Sequence, residues 1–344
     1  MVGDSPPRTI IRHCLIHHPH PYSGMATDNG FPTIEDIRAA AERIQSHIHH
    51  TPVLTCESID RITGCRLFFK PENFQKVGAF KFRGATNAVF SLGDSEARRG
   101  VATHSSGNHA AALALAAARR NIHAHIVMPE TAPDIKKAAV AGYGAQITYC
   151  RPTLEAREAG LNLVVEQTGA VFIHPYNNPQ VIAGQGTAAL ELLADVPELD
   201  VVIAPVGGGG LLSGTALAVA ALSPRTKIIG AEPRGADDAF RSLAAGKIIP
   251  SENPQTIADG LLTSLGSLTF PILYRHLERI VTVSERAIIQ AMRLVWERMK
   301  IIIEPSAAVP VAAILEGNWN QREKRIGVIL SGGNVNLDTL PWMK

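Results

Sequence analysis

Val201-Val202-Ile203-Ala204-Pro205-Val206-Gly207-Gly208-Gly209-Gly210-Leu211 joins a wholly apolar run, four consecutive glycines and the opening of a helical pattern. A strand that is apolar along its whole length is buried on both faces, as in a parallel sheet covered by helices. The glycines leave backbone N–H groups bare at the start of a helix, where the helix dipole favours an anion. Their spacing is not the GxGxxG of dinucleotide folds, and no Gly-Lys-Ser/Thr follows as in a Walker loop. Taken alone, the tetrad is compatible with a phosphate cradle or with a close-packed turn.

The same alternation continues on both sides of this stretch. Upstream, β-rich runs at 101–104, 124–128 and 146–150 alternate with helical patterns from Asn108, over 134–141 and from Leu154. Downstream come a helix from Leu211, a strand at 228–231, a helix over 285–300 and a last strand at 327–330, while another helix passes through 187–193. Strands separated by helix-length segments imply parallel sheets with crossover helices. The turn-rich segment His174-Pro175-Tyr176-Asn177-Asn178-Pro179 reads as a crossover between domains. The expected organisation is a flexible tail over 1–24, a large domain over 25–99 and 178–344, and a small domain over 100–177.

Composition narrows the functional classes. The 344 residues suffice for two domains with a cleft between them, and 46% hydrophobic with 19% charged residues is a globular balance. With 33 basic and 31 acidic residues the net charge is +2, too little to drive phosphate-backbone binding, so no nucleic-acid partner is expected. No apolar stretch is long enough for a bilayer, so no membrane association is expected. Cys14, Cys56, Cys65 and Cys150 form no CxxC pair, which fits a reducing, cytoplasmic location better than a zinc ribbon or a disulfide framework. His13, His17, His18 and His20 crowd the tail without any carboxylate or helical spacing to organise a metal.

Two further loops and one lysine carry chemistry. Ser105-Ser106-Gly107-Asn108-His109 opens an Ala-rich helix, where hydroxyls, an amide and free N–H groups suit a carboxylate; the same residues are also ordinary N-caps. Ser331-Gly332-Gly333-Asn334 ends the last strand. Lys81 lies between Phe80 and Phe82 in Gly78-Ala79-Phe80-Lys81-Phe82-Arg83-Gly84. Such neighbours imply a semi-buried amine with a lowered pKa, which is what a Schiff-base lysine requires.

Together, Phe74-Gln75-Lys76 leading to Phe80–Ala85, the Ser105–His109 loop, Gly207–Gly210 and Ser331–Asn334 resemble the serine racemase and serine/threonine dehydratase family, a branch of the fold-type II pyridoxal-phosphate enzymes. The likeness extends over about residues 33–338 and includes Val181-Ile182-Ala183-Gly184-Gln185-Gly186-Thr187 and Leu294-Val295-Trp296-Glu297-Arg298-Met299-Lys300. It implies an α/β, tryptophan-synthase-β-like architecture of two open twisted-sheet domains with helices on both faces, assembled as a homodimer.

By that resemblance Lys81 carries pyridoxal phosphate covalently and Phe80 lies beside its ring. Asn108 bonds the ring oxygen, Gly207, Gly208, Gly209, Gly210 and the Leu211 N–H hold the phosphate, and Ser331 faces the pyridine nitrogen. A hydroxyl there does not force that nitrogen to be protonated, which favours prompt loss of a β-leaving group. Substrate contacts are expected from Ser105, Asn108, His109 and Arg157. A Mg²⁺ or similar divalent site is expected at Glu232, the Ala236 carbonyl and Asp238. Cys56 and Glu57 stand near positions where nucleotide-binding relatives carry serines, so ATP regulation is not expected. With 13 residues after Ser331 in this sequence, no regulatory domain is expected there.

The implied reaction is dehydration of a small amino-acid substrate: the substrate amine displaces Lys81, which takes the Cα proton, and the β-hydroxyl leaves. Serine would give pyruvate and threonine 2-oxobutanoate, each with ammonia. A 3-hydroxyaspartate would give oxaloacetate, with Arg157 partnering the extra carboxylate. The alternative is racemisation, with Lys81 on one face and Ser106 on the other. A non-catalytic phosphate-ligand binding protein would use the glycine loop alone.

Overall fold

The structure, a computed structural model, describes residues 30–343 apart from 133 and 318–321. The tail expected over 1–24 lies outside the described residues. Among these residues the strands are β1 (Arg66–Pro71), β2 (Val101–His104), β3 (Ala124–Pro129), β4 (Gln146–Cys150), β5 (Val171–Phe172), β6 (Val201–Pro205), β7 (Lys227–Pro233), β8 (Arg279–Val283) and β9 (Arg325–Leu330). They form a five-stranded sheet in the order β1-β9-β6-β7-β8 and a four-stranded sheet in the order β4-β3-β2-β5. Every pairing is parallel. The α/β class and the two open sheets expected from the sequence pattern are what the chain adopts.

Parallel neighbours demand crossovers, and the helices supply them. In the larger sheet β9 inserts between β1 and β6, so Val328 lies opposite Phe69 on one side and Ile203 on the other. All three are fully buried in one core cluster. The second cluster gathers Ile126 and Met128 of β3 with Leu113 of the helix Asn108–Arg119. Phe82, Ala85 and Val89, from the helix Lys81–Phe90, pack into that same cluster.

Glycines let three helices touch backbone to backbone. A Cβ on Gly184 of the helix Pro179–Asp195 would stand 2.6 Å from the Gly84 Cα, and one on Gly214 of the helix Gly210–Leu222 would stand 2.5 Å from the Gly186 nitrogen. The helix that begins at Lys81 is thereby clamped to the one that begins at Pro179. Among the described residues no helix is long and apolar enough to cross a membrane.

Candidate active site

Lys81 is the first residue of its helix, and the chain before it is pinned by the loop after β9. Ala79 bridges Gly332, and the Phe80 N–H donates to the Ser331 carbonyl at 3.0 Å. From that anchored start the Lys81 ammonium donates to the Pro175 carbonyl at 2.9 Å and sits 5.1 Å from the Phe80 ring centre. Burial pulls its pKa down to about 8, with the Glu304 carboxylate pulling the other way. The Pro175 carbonyl is itself held by a local device, since His174 Nδ1 accepts from the Tyr176 and Asn177 N–H groups at 3.3 and 2.9 Å. An imidazole nitrogen that accepts must be unprotonated. Burial, aided by His104 and Lys81, pulls the His174 pKa down to about 4.

The next residue connects the lysine to the glycine loop. A Cβ on Gly208 would overlap the Tyr176 ring, and one on Gly210 would stand 3.0 Å from the Tyr176 Cβ. Gly209 has φ +88° and is the N-cap of the helix Gly210–Leu222, with no side-chain cap. The first N–H groups of that helix are therefore without helical partners, and no side chain satisfies them from the cap position. Thr269 Oγ1 donates to the Gly208 carbonyl at 2.8 Å, fixing the loop from below.

The serine-rich loop does not use its polar side chains as the cap. The N-cap of the helix Asn108–Arg119 is Gly107, with no side-chain cap, and Ser105 Oγ accepts from the Gly107 N–H at 3.3 Å. Asn108 instead turns its amide to Glu304, donating to both carboxylate oxygens at 3.0 and 3.2 Å, while its own oxygen accepts from Asn334 at 2.9 Å. Burial raises the Glu304 pKa to about 7, with Asp259 adding to the effect and Asn108 opposing it. Glu304 is the residue the sequence reading missed. Its signal is a lone acid closing the apolar run Ile301-Ile302-Ile303 before Pro305.

Ser106 is half-buried in the same loop and Ser331 is 3% exposed. The His109 imidazole is 2% exposed; Nε2 bonds the Ile173 carbonyl at 3.1 Å, and Nδ1 has no partner among the described residues. Burial, reinforced by Lys81, lowers its pKa to about 3. Arg157, in the helix Leu154–Thr168, donates from Nε to the Thr153 carbonyl at 3.3 Å. Burial lowers the pKa of His104, at the end of β2, and the charge of Arg157 lowers it further.

The residues expected to hold a divalent ion lie at the end of β7. Glu232 accepts from the Ala239 and Phe240 N–H groups, each at 2.9 Å. Asp238 is 1% exposed, and neither carboxylate oxygen makes a hydrogen bond of ordinary geometry, although the nearby Ser251 hydroxyl eases its charge. Among the described residues no three His, Cys, Asp or Glu side chains gather as a metal site.

Two open parallel sheets, with a half-buried lysine and a glycine loop that meet the adjacent residues Pro175 and Tyr176 of one connector, define the class. The chain belongs to the pyridoxal-phosphate dependent enzymes, whose family model matches residues 44–332. It is 53% identical over 311 residues to the β-hydroxyaspartate dehydratase of Paracoccus denitrificans, covering 90% of this chain and 99% of that one. It is 52% identical to the serine racemase of Dictyostelium discoideum, covering 90% and 96%. The structure of maize serine racemase superposes with a TM-score of 0.88 at 48% identity, covering 91% of this chain and 96% of that one.

Proposed function

We propose that this enzyme dehydrates a small β-hydroxy amino acid to a 2-oxo acid and ammonia, with Lys81 as the base. The observation that carries the reading is the Lys81 amine, held on the Pro175 carbonyl with its pKa lowered to about 8, next in the chain to Tyr176, whose ring leaves no room for a Cβ on Gly208. At pH 7.5 about a quarter of such amines are neutral, against about a thousandth for an ordinary lysine. The residues present fit the cofactor of the family. Lys81 would hold it covalently, the N–H groups of Gly207 to Leu211 its phosphate, Asn108 its ring oxygen, Ser331 its ring nitrogen and Phe80 one edge of the ring. When bound, pyridoxal phosphate supplies an electron sink that acidifies the substrate Cα–H bond.

The chain's own groups then divide the work. Ser105 and the N–H groups at the start of the helix Asn108–Arg119 bind the substrate carboxylate. Lys81, freed when the substrate amine takes its place, would accept the Cα proton, the C–O bond breaks, and the hydroxyl departs as water once protonated. The released enamine tautomerises and hydrolyses to the 2-oxo acid and ammonia. Arg157, beside His104, suits a second carboxylate, and the likeness to a β-hydroxyaspartate dehydratase favours a 3-hydroxyaspartate among the substrates. The second reading is racemisation, favoured by Ser106 in the same loop and by the serine racemase relatives. We also read the buried, under-bonded Asp238 with Glu232 and the Ala236 carbonyl as the seat of a divalent cation. The two sheets are read as the cores of a large domain over 25–99 and 178–344 and a small one over 100–177.

Borohydride reduction of the holoenzyme followed by peptide mapping tests the central assignment, with Lys81→Ala as its counterpart. The label is expected on Lys81, and the variant is expected to lose both the cofactor's visible absorbance and 2-oxo acid release while keeping its far-UV circular dichroism. A label on another lysine overturns it.

A further inference from the structure

The geometry points to Glu304 as a positioning residue that fixes the polarity of the Asn108 amide, so that Asn108 offers an N–H, and not its carbonyl, to the cofactor's ring oxygen. This rests on the cofactor seat proposed above. An asparagine amide has a donor end and an acceptor end of nearly equal shape, and only its partners decide which way it faces. Here both ends are decided. Asn334 Nδ2 donates to the Val77 carbonyl at 2.7 Å and to Asn108 Oδ1 at 2.9 Å. Asn108 Nδ2 donates in turn to the two Glu304 oxygens at 3.0 and 3.2 Å.

The relay therefore begins and ends on groups that only accept, a backbone carbonyl and an ionised carboxylate. Turning Asn108 over would set its oxygen against the carboxylate and its NH₂ against the NH₂ of Asn334. In the polarity observed, the two Glu304 oxygens share one Asn108 Nδ2 hydrogen, and the other N–H is left for a third partner, the charge-matched donor for an anionic ring oxygen. The backbone is shaped around the carboxylate: the Glu304 N–H donates to the Gly332 carbonyl at 3.0 Å, and a Cβ on Gly332 would stand 2.7 Å from Glu304 Oε1.

The lock depends on Glu304 being ionised, because a carboxylic acid donates as well as accepts. The charged groups around it are Lys81 from the helix Lys81–Phe90, Asp259, and Lys136 from the helix Asp134–Gly142. Lys136 is already paired with Asp259 at 2.7 Å, so it offsets little of the burial. The carboxyl, raised to about 7, gains its proton as pH falls through neutrality, and one of the two restraints on Asn108 is then lost.

Glu304→Gln and Asn334→Asp, each prepared as holoenzyme, test this by absorbance. The protonation of the ring oxygen sets the balance between the cofactor's visible and near-ultraviolet bands. Glu304→Gln adds a donor where only an acceptor stood, and Asn334→Asp replaces the donor to Asn108 Oδ1 with an acceptor. Both are expected to move intensity out of the visible band and to make the spectrum titrate between pH 6 and 9. Cofactor affinity is expected to weaken about ten-fold or more, as for loss of a charged hydrogen bond. Wild-type spectra and affinity in both variants overturn the inference, as does a lowered melting temperature with an unchanged spectrum. If borohydride labelling finds a lysine other than Lys81, the cofactor seat fails first. If Lys81 is labelled and the spectra do not move, the polarity lock alone fails.

Discussion

Arg83 and Glu72 form an ion pair at 2.7 Å with neither side chain exposed, and Arg83 lies in the same helix as Lys81. Its other guanidinium nitrogens reach Glu191, which also binds the buried Lys70 at 2.7 Å. Removing one partner of such a pair strands a charge out of water. Glu72→Gln is expected to destabilise the fold by about 3–5 kcal/mol in a denaturant titration. Replacing both, Glu72→Leu with Arg83→Met, is expected to recover most of that loss. Equal stability of the single and double variants would show that the charge itself is not what matters.

Tyr176 and the glycine loop make the second prediction. Gly208→Ala places a methyl group within the Tyr176 ring, so either the ring or the loop must move. Overpacking of this kind costs about 1–3 kcal/mol. The variant is expected to bind pyridoxal phosphate at least ten-fold more weakly, read from spectral titration of the apoprotein. Adding Tyr176→Ala is expected to restore part of that binding by making room. Full cofactor affinity in Gly208→Ala alone would remove the loop from the phosphate seat.

The lowered Lys81 pKa predicts the pH dependence of cofactor capture. Imine formation needs the neutral amine, so the rate at which apoprotein incorporates cofactor rises about ten-fold per pH unit below the lysine pKa. With that pKa near 8, the rise levels off near pH 8 instead of continuing toward 10.5. A profile still climbing at pH 10 contradicts the burial argument.

The proposed cation site predicts a stability response. A ligand bound only by the native state raises its stability by mass action. Chelation followed by dialysis is expected to lower the melting temperature, Mg²⁺ to restore it, and Glu232→Ala to abolish the response. Indifference of the wild type to chelator removes the site.

Ser106 separates elimination from inversion. In the proposed mechanism elimination from an L-substrate needs Lys81 but not the opposite face, whereas inversion needs a proton donor there. Ser106→Ala is expected to retain much of the L-serine or L-threonine dehydration while losing racemisation and most activity on the D-enantiomer. Chiral analysis of residual substrate beside a 2-oxo acid assay measures both. Loss of L-substrate dehydration as complete as in Lys81→Ala, with cofactor still bound, defeats the two-face division.

Much of this was legible because each loop expresses a local backbone need: bare N–H groups at Gly207 to Gly210, and a helix start at Asn108. What escaped depends on distant partners. β1 carries Lys70 inside an apolar strand, and its charge makes sense only once Glu191 and the Thr51 carbonyl, at 2.6 Å, have closed over it. The helix Pro305–Glu316 holds Pro310 in its interior, which interrupts any helical pattern read from sequence. β5 is two residues long, too short for periodicity. Glu304 looks like an ordinary loop acid until Asn108 and Asn334 meet it.

The place of β9 between β1 and β6 sets the order in which the enzyme can be born. Among the described residues β9 is the one strand paired with β1, so during translation residues 66–71 wait without that neighbour until 325–330 have left the ribosome. Ser331 and Asn334 follow immediately, and the Lys81 segment is moored to that loop through Ala79 and Phe80. A nascent chain therefore cannot complete the proposed cofactor seat until β9 and the loop after it have emerged. Any ribosome that stalls before β9 releases a polypeptide with an unpaired sheet interior, a substrate for chaperones and proteases rather than a slow enzyme.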